Sequence, residues 1–419
     1  MRTAWPARDG LRYGLMGLPL AFVALPLYVL LPNHYARAYG IPLGTLGALL
    51  LWARLLDALV DPWLGRLSDR LFAHSLAQVL RVGSVAALCL AAGFTALFFP
   101  PLRGQGLLVW AMGALCITYL AYSLLSITHQ SWGARLGGDA LQRSSIVAWR
   151  EGLALLGVLL ASVLAVLVGL GITTVVLVAA LVVGLLAWQQ APRPVASPPG
   201  TQLARERSAY AALARRGFAA LLGVFMLNGI ASAIPATLVL FFIQDRLQAP
   251  QAMEGLFLVA YFLSAALSMP LWLRAIARWG LWRAWLGGML LAVAVFAWAT
   301  LLGAGDLLAF GAVCALSGLA LGGDLAVAPA LLTGVIQSNG DQGAHEGSYF
   351  GWWNFATKLN LALAAGLALP ALQALGYSPG VRTPEALQAL VLAYCVLPCA
   401  LKLIAAYALY KSTKTYKYT

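Results

Sequence analysis

The chain has 419 residues, of which 62% are hydrophobic and only 10% charged, and its formal net charge is +13. That balance leaves too little polar surface for a water-soluble fold of this length. The basic residues are dispersed over short loops, which excludes a nucleic-acid footprint and fits membrane topology beside anionic lipid.

Apolar runs close to the roughly twenty residues that cross a bilayer as a helix recur along the whole chain. They predict spans near 11–31, 43–64, 77–99, 107–131, 145–168 and 170–189, then near 217–243, 253–275, 281–302, 307–335, 346–372 and 386–410. The expected architecture is an all-α polytopic membrane protein with twelve transmembrane helices in two pseudo-symmetric six-helix bundles. The first bundle is 1–189, the second 217–419, and 190–216 forms a linker on the cytoplasmic side. The linker stretch QQAPRPVASPPGTQLARERSAYAALARRG is rich in Pro and Ser, and its second part is compatible with a basic surface helix.

MRTAWPARDGLRYG runs into a full-length span instead of a short apolar segment and a cleavage site, so the first helix is expected to stay as an anchor. With the N-terminus inside, nineteen of the 27 Lys and Arg fall in inner segments, against Arg37, Arg103, Arg246 and Arg382 outside. Both termini are therefore expected to be cytoplasmic, in a multi-pass protein of the plasma (inner) membrane. Cys89, Cys116, Cys314, Cys395 and Cys399 lie inside spans without metal-type spacing and read as small buried hydrophobes.

Four basic residues, Arg54, Arg150, Lys358 and Lys402, remain within spans, beside four acids, Asp57, Asp61, Glu151 and Asp324. A charge near the bilayer centre costs at least about 2.5–3.5 kcal/mol, so such groups normally face a bundle interior and pair. Equal numbers point to a mutually neutralised polar core. Asp57 and Asp61 are one turn apart on one helix face, with Arg54 preceding both. Two adjacent carboxylates in low dielectric must share a proton, bind a cation or lean on a base, which makes the pair a cation site. The other reading is a static salt bridge pinning the second helix, although such a bridge seldom improves on apolar packing.

The sequence reads PWLGRLSDR from Pro62, 36 residues after Pro26, and the second half reads PLWLRAIARWG from Pro270, 35 residues after Pro235. Each stretch is expected to end a helix and open a short basic loop, and the spacing suggests a duplicated six-helix unit. Duplicated bundles around a polar cavity are the architecture of many secondary transporters. Asp69 has three readings: a solvated loop charge, a cap on the following helix, or a bridge to Arg143 across a gating interface, with Arg70 beside it. Glu151 lies about 100° around the helix from Arg150 and is expected to pair with another helix. Lys402 is expected to snorkel to the inner surface, and Asn228 and Ser232 either line a cavity or join helices.

DALVDPWLGRLSDR resembles the helix-two signature of the glycoside–pentoside–hexuronide:cation symporters, a branch of the major facilitator superfamily typified by melibiose permease. EGSYFGWWNFATKLNLALAAGL is similar to that family's eleventh-helix segment with an embedded lysine, and SSIVAWREGLALLG to its fifth-helix segment with an embedded arginine. The resemblance implies the major facilitator fold and transport instead of enzymatic catalysis. It implies cation binding at Asp57 and Asp61, with Na⁺ or H⁺ as the coupling ion and no other cofactor or metal. Arg54 corresponds to an accompanying arginine, Arg150 to a cavity arginine, Lys358 to a lysine near the cation site, and Tyr122 to a cavity tyrosine.

The departures bear on substrate. The first span carries no carboxylate, with Gly17, Leu18 and Pro19 in its middle, and the fourth has SITHQSW with Ser126, His129 and Gln130 in place of an aspartate and aromatic platform. His129 and Gln130 join the substrate-facing candidates. The expected partners are a small solute, either sugar-like or an anionic amphiphile held by Arg150 and Lys358, and the bilayer, with no nucleic acid and a monomeric state. Asp324 is expected to pair with Lys358 when the cavity is empty. Two alternatives stand beside symport. One is a lysolipid transporter or flippase of the same fold. The other is a Mg²⁺-dependent membrane prenyltransferase using Asp57 and Asp61, which needs a second aspartate cluster; Ala328 stands four residues after Asp324 where that cluster would continue.

Overall fold

The computed structural model describes residues 5–194 and 210–415; most of the predicted linker, with Arg205 and Arg207, lies outside them, as do Arg2 and Lys417. Every regular element among the described residues is helical. In chain order they are α1 (Ala7–Gly14), α2 (Gly17–Leu25), α3 (Leu31–Tyr39), α4 (Leu43–His74), α5 (Leu76–Phe98), α6 (Gln105–Arg135), α7 (Ala140–Leu167) and α8 (Gly169–Gln189). Then follow α9 (Arg216–Phe241), α10 (Gln251–Trp279), α11 (Leu281–Ala299), α12 (Leu307–Ser338), α13 (Glu346–Ala374), α14 (Pro384–Val391) and α15 (Leu397–Thr415). Single π-helical turns at Pro26–Leu30, Phe242–Arg246 and Leu392–Val396 widen the helical path between α2 and α3, after α9, and between α14 and α15. Among the described residues nine helical stretches are long and apolar enough to cross a membrane. The other three predicted spans are also helical, and α4 is the one loaded with Arg54, Asp57 and Asp61.

Two compact units emerge, Met1–Ala214 with Ile336–Phe355, and Arg215–Val335 with Ala356–Thr419. The short segment around the start of α13 thus packs with the N-terminal helices, although the sequence groups it with the second bundle. α13 is continuous through Phe355 and contributes its remainder to the second unit.

In the first unit the opening helices are held against α7 by close backbone approach. A Cβ on Gly14 would lie 2.7 Å from the carbonyl oxygen of Trp149, and one on Gly17 would lie 2.5 Å from that of Arg150. Small residues let membrane helices approach closely enough for dispersion to hold them. The carboxylate absent from this span therefore has a local reason at Gly17, where a side chain of any kind would collide with α7.

Prolines do not end the helices as the sequence suggests. α4 runs through Pro62 to His74, and α10 runs through Pro270 to Trp279, so GRLSDR is helical instead of looped. A proline removes one N–H and frees one carbonyl, a loss that local adjustment and neighbouring groups offset in membrane helices. α5 then starts immediately with its own cap, Ser75 Oγ accepting from the Gln78 N–H at 3.1 Å.

Candidate functional site

α4 is amphipathic in the inverted sense required by lipid. Leu51, Leu55, Leu56, Leu59, Trp63 and Leu67 are exposed, whereas Asp57, Asp61, Gly65, Ser68 and Asp69 are buried along one face. Asp57 is 5% exposed and Asp61 is fully buried. The hydroxyl of Ser123 on α6 donates to Asp57 Oδ1 at 2.7 Å. The expected pair is therefore inside the unit and one turn apart, where low dielectric forces compensation of its charge. Arg54, expected on that same face, is exposed.

Close passage of α13 over α4 explains the spacing of glycines in both. A Cβ on Gly65 would lie 2.9 Å from the Gly347 carbonyl carbon and 3.1 Å from Gly351 Cα, and one on Gly351 would lie 2.6 Å from the Asp61 carbonyl oxygen. With the helices this close, Asp69 reaches the first turn of α13. It accepts from the backbone N–H groups of Gly347 (2.7 Å) and Ser348 (2.8 Å) and from Ser348 Oγ (2.7 Å). It is thus a cap supplied from another helix, placing negative charge at the positive end of the α13 dipole. The remaining partner is Arg135 in the last turn of α6, whose Nη2 lies 3.2 Å from Asp69 and 2.9 Å from Glu346. Arg135 also donates to the Gly343 carbonyl and stacks its guanidinium over Phe72 at 4.3 Å. Asp69, Arg135 and Glu346 are each at most 4% exposed in their side chains.

This arrangement corrects the expected gating set. Asp69 caps α13 instead of the following helix, and its basic partner is Arg135, not Arg143. Arg143 is directed to Gln337, and Arg70 is exposed. Sequence reasoning counts Arg135 only as an inner-loop charge and misses Glu346 altogether. Glu346 occupies the first turn of its helix and accepts from the Gly343 N–H three residues back, a spacing visible in GAHE.

Four of the predicted substrate-facing residues, Tyr122, His129, Gln130 and Arg150, lie in the first unit and Lys358 in the second. His129 is fully buried, with its Nε2 2.9 Å from the Tyr13 carbonyl oxygen, its own carbonyl accepting from Tyr13 Oη at 3.1 Å, and its ring stacked on Tyr13 with centroids 4.4 Å apart. It joins the first helix to the fourth span. Gln130 donates to Ser126 Oγ at 2.8 Å and to Asn354 Oδ1 at 3.4 Å, and Tyr122 is half-buried against the apolar core. Arg150 forms an ion pair with Glu151 at 2.7 Å, contrary to the expectation from helical angle. Two long side chains on adjacent residues can curl together even when their Cα–Cβ bonds diverge.

In the second unit Asp324 pairs with Lys402, not with Lys358. Lys402 Nζ lies 3.2 Å from Asp324 Oδ2 and donates to Asn228 Oδ1 at 2.7 Å. Trp285 Nε1 donates to the other carboxylate oxygen at 2.8 Å. Lys402 is 4% exposed and does not snorkel, because a fixed carboxylate and amide inside the bundle already satisfy it. Lys358 is half-buried on α13. Nearby in sequence to none of these, Asp245 in the second π turn accepts from Tyr377 Oη at 2.6 Å and the Gly380 N–H at 3.0 Å. Among the described residues no three His, Cys, Asp or Glu side chains converge as a metal-ligand set.

Residues 11–414 match the family described as MFS/sugar transport protein. Among individual proteins, the chain is 28% identical over 163 residues to the putative glycoside/cation symporter YagG of Escherichia coli K12, covering 37% of this chain and 34% of that protein. It is 31% identical over 137 residues to the inner membrane symporter YicJ of the same organism, covering 31% and 28% respectively. These matches span about a third of the length of each relative. Solved structures share the fold. A bacterial homologue of the iron transporter ferroportin in its outward-facing state superposes with TM-score 0.71 at 15% identity, covering 97% of this chain and 99% of that one. The proton:xylose symporter XylE does so with TM-score 0.63 at 12% identity, covering 97% and 94%. These matches are to transporters and not to prenyltransferases, and the extent of the family match, nearly the whole chain, makes this multi-pass membrane protein a member of the MFS/sugar transport protein family.

Proposed function

We propose that the protein is a secondary active transporter that couples entry of Na⁺ or H⁺ to symport of an uncharged, sugar-like solute by alternating access. The observation that carries this reading is the burial of Asp57 and Asp61 one turn apart on α4. Neither carboxylate can remain charged there without compensation, and a mobile cation or proton is the compensation that a transport cycle can exchange. The relatives named as symporters support the coupling, and the glycoside/cation wording of one supports the solute class. Glu151 beside Arg150 already neutralises the guanidinium, which removes much of the reason to invoke an anionic head group.

The distribution of basic residues supports a cytoplasmic position for both termini. On that orientation Asp69, Arg135 and Glu346 sit at the cytoplasmic end and latch the start of α13 onto α4 and α6. Opening to the cytoplasm requires that this latch release, and cation occupancy at Asp61 and Asp57, about two and three turns back along the same helix, biases it. Binding of ion and solute must then be reciprocal, each tightening the other by the same factor.

The test is uptake in proteoliposomes of radiolabelled methyl glycosides under an imposed Na⁺ or H⁺ gradient. Wild type accumulates solute above equilibrium, whereas Asp57→Asn with Asp61→Asn only equilibrates it. A double variant that accumulated solute as steeply as wild type would falsify the coupling assignment.

A further inference from the structure

The second unit contains a cavity of about 170 Å³ open to water-sized molecules, walled by α9, α10, α11, α12, the third π turn and α15. Its walls are mainly apolar and aromatic, with Phe257, Tyr261, Phe262, Phe296 and Tyr394 among them. At its edge stand both members of the Asp324–Lys402 ion pair. The site described above uses none of this space.

Its polar groups retain unused capacity. Lys402 has three N–H donors and spends two, on Asn228 and Asp324. Asp324 accepts one bond on each oxygen, from Trp285 and Lys402, and a carboxylate has about four lone-pair sites. Neither the Tyr261 nor the Tyr394 hydroxyl has a hydrogen-bond partner among the described residues, although both side chains line the cavity. Both hydroxyls are therefore available to an occupant of the cavity.

The ion pair also selects the charge of that occupant. Asp324 and Lys402 neutralise each other, so an anion would have to displace the carboxylate and a cation the ammonium, stranding a buried charge either way. A neutral hydroxyl avoids that cost, because it donates to Asp324 while accepting from Lys402. Aromatic walls then receive an apolar or ring-shaped body, with Tyr261 and Tyr394 available to further hydroxyls.

We infer that the Asp324–Lys402 cavity of the C-terminal unit is a binding site for an uncharged amphiphile with a hydroxylated head and an apolar body, the chemistry of an aryl or alkyl glycoside. This rests on the sugar-like solute proposed above and adds a requirement for an apolar aglycone, housed within one unit.

The test uses the full chain in lipid nanodiscs, titrated calorimetrically with phenyl β-D-glucoside, benzoate and benzylammonium. The neutral glycoside is expected to bind saturably, and the two ions at least tenfold more weakly. Ser317→Phe, which fills the cavity from α12, is expected to weaken glycoside binding at least tenfold while the purified variant keeps its elution volume and melting behaviour. Should that variant fail to fold, 4-azidophenyl β-D-glucoside photolabelling of wild type answers the same question, and label is expected on peptides from 251–335. Equal affinity for all three probes, unchanged affinity in a folded Ser317→Phe protein, or label confined to peptides before 195 would each overturn the inference. Measuring glycoside binding in Asp57→Asn/Asp61→Asn separates the two readings. Binding retained there without accumulation supports both, whereas accumulation by that variant defeats the coupling and leaves this cavity standing.

Discussion

Two buried charge clusters, one in each unit, are built from similar parts to different ends. In the first, Asp69 is filled by two backbone N–H groups, a serine hydroxyl and Arg135, and Arg135 is shared with Glu346. In the second, Asp324 has one indole, one ammonium, a side chain 16% exposed and a cavity beside it. A cluster shut inside packed helices, with its side chains at most 4% exposed, can only hold helices together or let them go. One that leaves capacity facing a void can also recognise a ligand. Chemical composition does not distinguish the two, and the open volume beside the second does.

The largest effect should come from Asp69→Ala. It removes the cap on α13 and leaves Arg135 with a single carboxylate in a site that excludes water. Breaking a buried pair by deleting one partner typically costs about 3–5 kcal/mol. A drop in melting temperature of many degrees in detergent, with hydrogen exchange rising across 346–355, is the expected result. Asp69→Asn keeps the side-chain oxygen for the N–H groups and should recover part of the loss. If Asp69→Ala melted like wild type, the cap would be ornamental and the two clusters would not differ in the way argued above.

Lys402→Met should cost less, about 1–3 kcal/mol, although it too deletes one partner of a buried pair. Asp324 keeps its bond from Trp285 and can draw water from the cavity, which limits the cost of losing the ammonium, and no helix cap is lost. The comparison sharpens if the penalty shrinks further in Lys402→Met with Asp324→Asn, since the double variant leaves no charge to strand. A Lys402→Met penalty equal to that of Asp69→Ala would mean that the cavity is dry and the second cluster as closed as the first.

These clusters also mark where sequence reading stops. Apolar run length reveals the helices, because the bilayer imposes one dimension on all of them. The Asp57–Asp61 pair is legible because helical periodicity is local, and both side chains are buried as their spacing requires. Partners across helices are a different matter. Arg135 and Arg143 both lie near the same expected loop, and only the extension of α6 through Arg135 and the passage of α13 over Gly65 decide which one meets Asp69. Lys402 lies eight residues from Tyr410 and reads as a surface-seeking lysine until Asn228 and Asp324 are seen to converge on it. Pro62 and Pro270 mislead for the opposite reason, since their local cost is real but the surrounding bundle overrides it. In the second half, GGD at 322–324 does carry a readable signal. A Cβ on Gly323 would lie 2.7 Å from the Trp272 ring, so these glycines admit close neighbours beside the acid.

The smallest effect is expected from Ser123→Ala, and the ion to which it responds is more informative than its size. The hydroxyl donates to Asp57 Oδ1 at 2.7 Å, and a bond to a buried carboxylate stabilises the ionised form by about 1 kcal/mol or somewhat more, close to a tenfold change in an equilibrium constant. If the coupling ion is H⁺, accumulation should change only in its response to the imposed proton gradient and stay indifferent to Na⁺. If it is Na⁺, the same substitution removes an oxygen beside the ion, so half-saturation should require several-fold more Na⁺. The two outcomes fall on different axes. One uptake series over pH, repeated over Na⁺ concentration, therefore identifies the driving ion from a single hydroxyl. Unchanged profiles on both axes would place Ser123 outside the coupling chemistry and leave Asp57 dependent on its other neighbours.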